Sequence, residues 1–462
     1  MTETTSRSFA SLPLSAAQLA VLQQLEYVEM TPIQAATLPL ALAGHDLIAQ
    51  AKTGSGKTAA FALPLLARLN PRHFGVQAML ICPTRELAEQ VAQELRRLAR
   101  AQDNIKVLTL CGGSPARAQV NSLEHGAHIV VGTPGRLMDH IERGSLKLDG
   151  LNTLVLDEAD RMLDMGFFDD IAWVASHCPT GRQTLLFSAT YPEGIAKLAS
   201  QFLRQPRQVK LTETHEPEKI RQRFYEIEPE QRLAAVGELL RHYRPGSALA
   251  FCNSRQQCKD LFNQLRGEGF HVLTLHGELE QHERDQVLIR FANRSCTVLV
   301  ATDVAARGLD IDQLEAVINV DITPDPEVHV HRVGRTGRAD QRGWALSLVG
   351  PADRRKIAAI AEASGITPEW HKLASLESAS DEPLLPPMST LLILGGKREK
   401  IRPGDVLGAL TGEAGFTREQ VGKINVTDQN TYVAVERGIA GEAVRRLGAG
   451  RIKGKSVKVR RL

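Results

Sequence analysis

The stretch Ala51-Lys52-Thr53-Gly54-Ser55-Gly56-Lys57-Thr58 sets an amine and a hydroxyl at the end of a glycine-bearing loop. A short apolar run, Asp46–Gln50, precedes it, and Ala59–Leu63 reads as the start of a helix. Strand, loop and helix in that order form the setting in which backbone N–H groups turn inward around phosphate oxygens. The helix N-terminus adds partial positive charge there. In such a loop Lys57 reaches the outer phosphates and Thr58 offers its hydroxyl to Mg²⁺. One departure is visible: the usual first glycine of the pattern is Ala51.

Two further segments carry matching chemistry. Asp157-Glu158 follows the apolar run Leu154-Val155-Leu156. Asp157 at such a position holds Mg²⁺ through water, and Glu158 orients or deprotonates an attacking water. His331-Arg332-Val333-Gly334-Arg335-Thr336-Gly337-Arg338 gathers three arginines and a histidine. Guanidinium groups are planar, permanently charged donors suited to a γ-phosphate. The same segment also reads as a basic loop for a nucleic-acid backbone.

Elements able to position these groups recur along the chain. Met79–Cys82, Ile129–Val131, Leu154–Leu156 and Leu185–Phe187 are short apolar runs that end in polar or glycine residues, with helical patterns between them. That alternation predicts an α/β fold with a parallel sheet covered on both faces, ligands lying beyond the strand ends. Residues 212–219 are polar and read as a linker, after which the alternation restarts at Ala248–Cys252, Val272–Leu275, Val298–Val300, Ala316–Val320 and Ala345–Val349. The expected domains are 1–211, 220–365 and, after a second linker at 366–388, a small α+β domain at 389–462. Its order βαββαβ is the RNA-recognition-motif pattern. Two such α/β lobes on a linker leave a cleft between them.

Composition narrows the class. With 43% hydrophobic and 24% charged residues, the chain reads as globular. No apolar run reaches the ~18 residues of a membrane span. The first nine residues lack the apolar core of a leader, and the six cysteines are scattered without a Cys-x-x-Cys pair. A cytoplasmic monomer with no membrane partner and no structural metal is therefore expected. Net charge is +3, but from Ser389 onward 15 Lys/Arg stand against 7 Asp/Glu, and the preceding residues hold 41 against 46. A basic tail on a near-neutral body points to a nucleic-acid partner.

From Phe9 to about residue 360 the motifs, in order, resemble the DEAD-box ATP-dependent RNA helicases, named for the tetrad Asp157-Glu158-Ala159-Asp160. Members of that family generally carry alanine at the Ala51 position. The resemblance implies that the two lobes are RecA-like, and it implies RNA-stimulated ATP hydrolysis with local duplex opening. It implies that the ATP phosphates lie on Ala51, Lys52, Thr53, Gly54, Ser55, Gly56, Lys57 and Thr58, with Mg²⁺ held by Thr58 and Asp157. Gln34 would hydrogen-bond the adenine edge, Tyr27 would stack on its face, and Asp310 would contact the nucleotide from the second lobe. Lys57, Asp157, Glu158, Arg335 and Arg338 would be catalytic, the two arginines as fingers. Asp160, Ser188, Thr190 and His331 would couple hydrolysis to lobe closure. RNA would lie on Arg85, Gly112, Gly113, Thr133, Gly135, Arg136, Arg284 and Thr302.

In the tail, Lys397, Arg398, Lys400 and Arg402 form a basic segment, and Tyr432 is the sole aromatic on the expected central strands. RNA contact through loops and edges is therefore expected more than stacking on the sheet. The run Gly395–Gly412 is similar to the tail of a bacterial subgroup that targets a hairpin of 23S rRNA in pre-50S particles. An alternative to unwinding is a nucleotide-dependent RNA clamp or assembly scaffold in which hydrolysis resets binding. A DNA translocase is disfavoured by the RNA-type tail.

Overall fold

The computed structural model describes residues 7–51, 54–191, 193–211, 220–306, 314–337, 343–377, 379–380 and 382–462. The chain divides into two compact units, one made by the first lobe and one by the second lobe with the tail. The proposed linker at 212–219 lies outside the described residues.

In the first lobe the strands are β1 (Leu47–Gln50), β2 (Ala78–Ile81), β3 (Val107–Leu110), β4 (Ile129–Gly132), β5 (Thr153–Leu156), β6 (Gln183–Ser188) and β7 (Arg207–Lys210). They form one parallel sheet in the order β3-β4-β2-β5-β6-β1-β7. The inner strands are apolar and buried throughout, as strands covered on both faces must be. Successive residues enter opposite layers: Leu185 and Phe187 pack with Phe61 and Leu95, whereas Leu186 packs with Ile48 and Met79. This two-sided core fixes the strand ends, and the phosphate loop, the acidic tetrad and the Arg85, Gly112 and Thr133 segments each follow one of them.

The second lobe comprises β8 (Ile220–Glu226), β9 (Ala248–Cys252), β10 (Val272–Leu275), β11 (Val298–Thr302), β12 (Ala316–Asn319), β13 (Gly343–Val349) and β14 (Trp370–Lys372). Its order, β10-β11-β9-β12-β13-β8-β14, repeats that of the first lobe position for position. The stretch 366–388 is more than a connector. Trp370–Lys372 pairs with Phe224–Glu226, and the Arg244 guanidinium donates to the Glu382 carbonyl at 2.8 Å.

The tail has β15 (Met388–Ile393), β16 (Val421–Val426), β17 (Thr431–Glu436) and β18 (Val459–Arg461), an antiparallel sheet ordered β16-β17-β15-β18. Helices Pro403–Gly408 and Ala440–Ala449 complete the βαββαβ order. Leu391, Ile393, Val433 and Val435 face them across the tail's own core.

Candidate functional site

Gly54 and Gly56 stand at φ +78° and +91°, which turns the loop after β1 into the helix Lys57–Arg68. A Cβ on Gly56 would lie 2.6 Å from Gln34 Nε2, so only glycine allows that approach. Gln34 is 1% exposed. Its Oε1 accepts from the Thr31 N–H at 2.9 Å, and its Nε2 donates to the Gly56 carbonyl at 3.1 Å. The side chain expected to read the base is thereby tied to the phosphate loop. Tyr27 donates to Glu94 Oε1 at 2.7 Å and meets Phe9 edge-on, with ring centroids 6.2 Å apart.

The loop holds an unusual charge. Lys57 is 6% exposed, and its Nζ has no hydrogen-bond partner among the described residues. A buried ammonium without partners is costly unless an anion satisfies it. Asp157 lies within electrostatic range of it. Burial pushes that carboxyl up to about 6, with Lys57 pulling it back down and Glu158 pushing up. Thr58, one residue past Lys57, is half-buried. A hydroxyl and a carboxylate are hard oxygen donors, the chemistry Mg²⁺ prefers.

Asp160 links this loop to the end of β6. Its Oδ2 accepts from Ala189 N at 3.0 Å, Thr190 N at 2.8 Å and Thr190 Oγ1 at 3.0 Å. Ser188 Oγ accepts from the Asp160 N–H at 3.2 Å, and the Ala51 N–H donates to the Ser188 carbonyl at 2.9 Å. One lobe thus assembles Gln34, Ala51, Lys57, Asp157, Glu158, Asp160, Ser188 and Thr190 around a single loop. Lys52, Thr53, Asp310 and Arg338 lie outside the described residues.

The loops after β2, β3 and β4 form a second cluster. The Arg85 guanidinium lies against Gly113, where a Cβ would sit 1.9 Å from its NH1, and Gly113 stands at φ +74°. Space is open around Gly112 and Gly135. Thr133 caps the helix Pro134–Glu142, within which Arg136 NH1 donates to the Ser114 carbonyl at 3.1 Å and to Gln119 Oε1 at 2.8 Å. Gln119 also meets His140 Nε2 at 2.8 Å. Gln119 and His140 escaped the sequence reading because neither belongs to a local motif. Backbone amides, glycines and guanidinium groups suit phosphates and sugars and read no bases.

In the second lobe the organising residue is Arg332. It is 2% exposed and donates to both Asp303 oxygens at 2.6 Å, to Asn253 Oδ1 at 3.1 Å and to the Asp321 carbonyl at 2.7 Å. The sequence reading weighted its neighbours Arg335 and Arg338 instead, since three arginines in one segment look alike on paper. Arg335 is also buried, His331 lies half-buried on the helix Pro326–Val333, and Thr302 ends β11. Arg284 NH2 donates to the Ala305 carbonyl at 3.4 Å, which ties it to the segment after Thr302.

Comparison with known proteins accords with this geometry. Residues 31–198 match the DEAD/DEAH box helicase family, 231–340 the helicase conserved C-terminal domain, and 390–461 the DbpA RNA binding domain. The ATP-dependent RNA helicase DbpA of Escherichia coli K12 is 50% identical, over 97% of this chain and 98% of that protein. The chain belongs to the DEAD-box ATP-dependent RNA helicases. The helicase is also 43% identical to the DEAD-box ATP-dependent RNA helicase CshA of Geobacillus kaustophilus, over 75% of this chain and 74% of that one. Among solved structures it resembles Saccharomyces cerevisiae Dbp5 bound to RNA and ADP BeF3, with TM-score 0.72 and 31% identity over 80% of this chain and 96% of that one.

The helicase tail separates its basic and aromatic residues. Lys397, Arg398, Lys400 and Arg402 are exposed on and beside the turn Lys397–Glu399. Lys453 Nζ donates to the Lys400 carbonyl at 2.7 Å, joining this turn to the basic stretch before β18. Tyr432 lies on the sheet face that the second lobe covers. It is 7% exposed and hydrogen-bonds Gln286 of the second lobe, so its ring is covered and offers no stacking surface. Its neighbour on that sheet face, Thr390, lies 2.6 Å from Ser295 Oγ and accepts from Asn293 Nδ2 at 3.2 Å. Arg437 NH2 donates to His271 Nε2 at 2.9 Å at the same interface. Among the described residues no helix is long and apolar enough to cross a membrane.

Proposed function

We propose that this ATP-dependent RNA helicase opens structured 23S rRNA in pre-50S particles in the cytoplasm, with ATP seated on residues 51–58. The observation that carries the nucleotide assignment is the buried Lys57 ammonium beside Asp157, without a hydrogen-bond partner among the described residues. Its natural partners are the outer phosphates. Tyr27 and Gln34 bind the adenine, and the link from Gln34 to the Gly56 carbonyl reports base occupancy to the loop. Thr58 and Asp157 hold Mg²⁺, which when bound neutralises phosphate charge. Glu158 takes the proton of the attacking water. Arg335 and Arg338 stabilise the charge that develops on the γ-phosphate.

Two features support the RNA assignment: the match of the tail to the DbpA RNA binding domain, and its exposed basic turn joined to the stretch before β18. Arg85, Gly112, Gly113, Thr133, Gly135 and Arg136 take the RNA backbone on the first lobe, and Arg284 and Thr302 on the second. The decisive measurement is ATPase stimulation across RNA fragments, 23S fragments included. The combined Lys397→Ala, Arg398→Ala, Lys400→Ala chain should lose stimulation by its preferred fragment and keep that by unstructured RNA. Equal stimulation of the parent chain by every RNA would reject the targeting. Glu158→Gln should bind ATP and RNA without turnover.

A further inference from the structure

The three acids of the tetrad have different partners. Asp160 is saturated by Ala189, Thr190 and the Arg161 N–H, the last at 3.0 Å. Asp157 accepts from the Glu158 N–H at 3.0 Å and faces Lys57. Glu158 is in an ion pair with the Arg161 side chain, three residues further on, with both side chains under one-tenth exposed. The backbone supports this pairing. Glu158 stands at φ +52°, unusual for a residue with a side chain, directly before the helix Ala159–Asp164 that carries Arg161. Strain of this kind concentrates at functional positions.

A general base works by offering a lone pair to a water proton. A guanidinium bound to a carboxylate occupies one oxygen and fixes the direction of the group, so that oxygen is not open to a water O–H while the pair is closed. Burial keeps solvent from competing for the pair. Arg161 therefore opposes the chemistry assigned to Glu158. We propose that Arg161 is a positioning residue that latches Glu158, and that hydrolysis proceeds when this ion pair opens. The latch rests on Glu158 being the base. It adds a restraint within the first lobe itself, which suppresses turnover on ATP alone.

The test compares kcat and KM for ATP in the full chain, with and without saturating RNA. Arg161→Met keeps the side-chain length and removes the charge. Its RNA-free kcat should rise about tenfold, with KM within about twofold, so that the stimulation by RNA shrinks. Arg161→Lys, which keeps a cation at the position, should stay near the parent. The gain should vanish in the Arg161→Met, Glu158→Gln double variant, because it runs through that carboxylate. An Arg161→Met chain with parental or lower RNA-free kcat overturns the latch, as does a gain that survives Glu158→Gln. If thermal unfolding shows Arg161→Met to be misfolded, Arg161→Gln, which keeps a donor without the charge, decides by the same criteria. Full turnover by Glu158→Gln alone would instead remove Glu158 as the base, which separates failure of that assignment from failure of the latch.

Discussion

The two lobes share one strand order, yet they treat their buried cations in opposite ways. In the first, Lys57 opens the helix that follows the loop after β1, with no hydrogen-bond partner among the described residues. In the second, Arg332 is held by Asp303, Asn253 and the Asp321 carbonyl, and its guanidinium lies 5.0 Å from the Phe251 ring centroid. The same strand order thus frames a charge without a hydrogen-bond partner among the described residues in one lobe and a charge consumed by the fold in the other. Topology sets where a functional group stands, and the partners supplied by neighbouring loops decide whether it is available.

Breaking the closed cation should have the largest effect. Arg332→Ala strands the Asp303 carboxylate, and removing one member of such a buried pair costs about 3–5 kcal/mol. Denaturant unfolding of the full chain should show that loss. Arg332→Lys should recover little of it, because an ammonium cannot make the planar fork to both Asp303 oxygens. The open cation should behave in reverse. Lys57→Met should reduce ATP turnover by about 10²–10³-fold, the scale of losing one preorganised transition-state donor. Its unfolding midpoint without nucleotide should hold or rise, since a buried unsatisfied charge is removed. A Lys57→Met chain as destabilised as Arg332→Ala would erase the contrast.

Much of this was legible in the sequence because the motifs are contiguous and follow apolar strands. The Ala51–Thr58 loop, the acids after β5 and the basic segment after β12 were each readable from residue types at short spacing. The last strand of each sheet, beside β1 in one and β8 in the other, was not. Arg207–Lys210 and Trp370–Lys372 are short and rich in charge, as edge strands that resist further pairing often are, and no apolar run announces them. β8 was hidden for a related reason: its Ile-Arg-Gln-Arg-Phe-Tyr-Glu run alternates too irregularly to stand out. Nor was the roles' division among the arginines legible. Arg332 and Arg335 sit three residues apart in one motif, and only the fold brings Asp303, Asn253 and Asp321 around the first of them. The burial of Tyr432 was illegible for the same reason, since what covers a sheet face is a distant segment.

The tail interface extends the contrast at smaller scale, because the second lobe again commits polar side chains to internal contacts. Thr390→Val should remove the hydroxyl shared by Ser295 and Asn293. Leaving buried partners unsatisfied costs about 1–3 kcal/mol. Hydrogen exchange should then quicken in β15 and at the Asn293–Ser295 segment, while Thr390→Ser should restore protection.

The smallest effect should come from pH. Burial first, then Arg437, Arg461 and Arg290, hold His271 below its ordinary value of 6.5. Its Nε2 accepts from Arg437, which requires the neutral ring at that nitrogen. A folded-state value depressed below the unfolded one gives stability that is present above pH 6.5 and lost as pH falls through and below it. His271 is only half-buried, so after allowance for solvent screening the loss should be below about 1 kcal/mol. Between pH 7.5 and 5.5 the docked tail should therefore show modestly faster exchange in β15. His271→Gln, which keeps an acceptor for Arg437 without titrating, should flatten that dependence. An unchanged pH profile in His271→Gln would place the acid sensitivity elsewhere. Residual sensitivity shared by both lobes would mean that the tail contact is no more tightly committed than the open loop around Lys57.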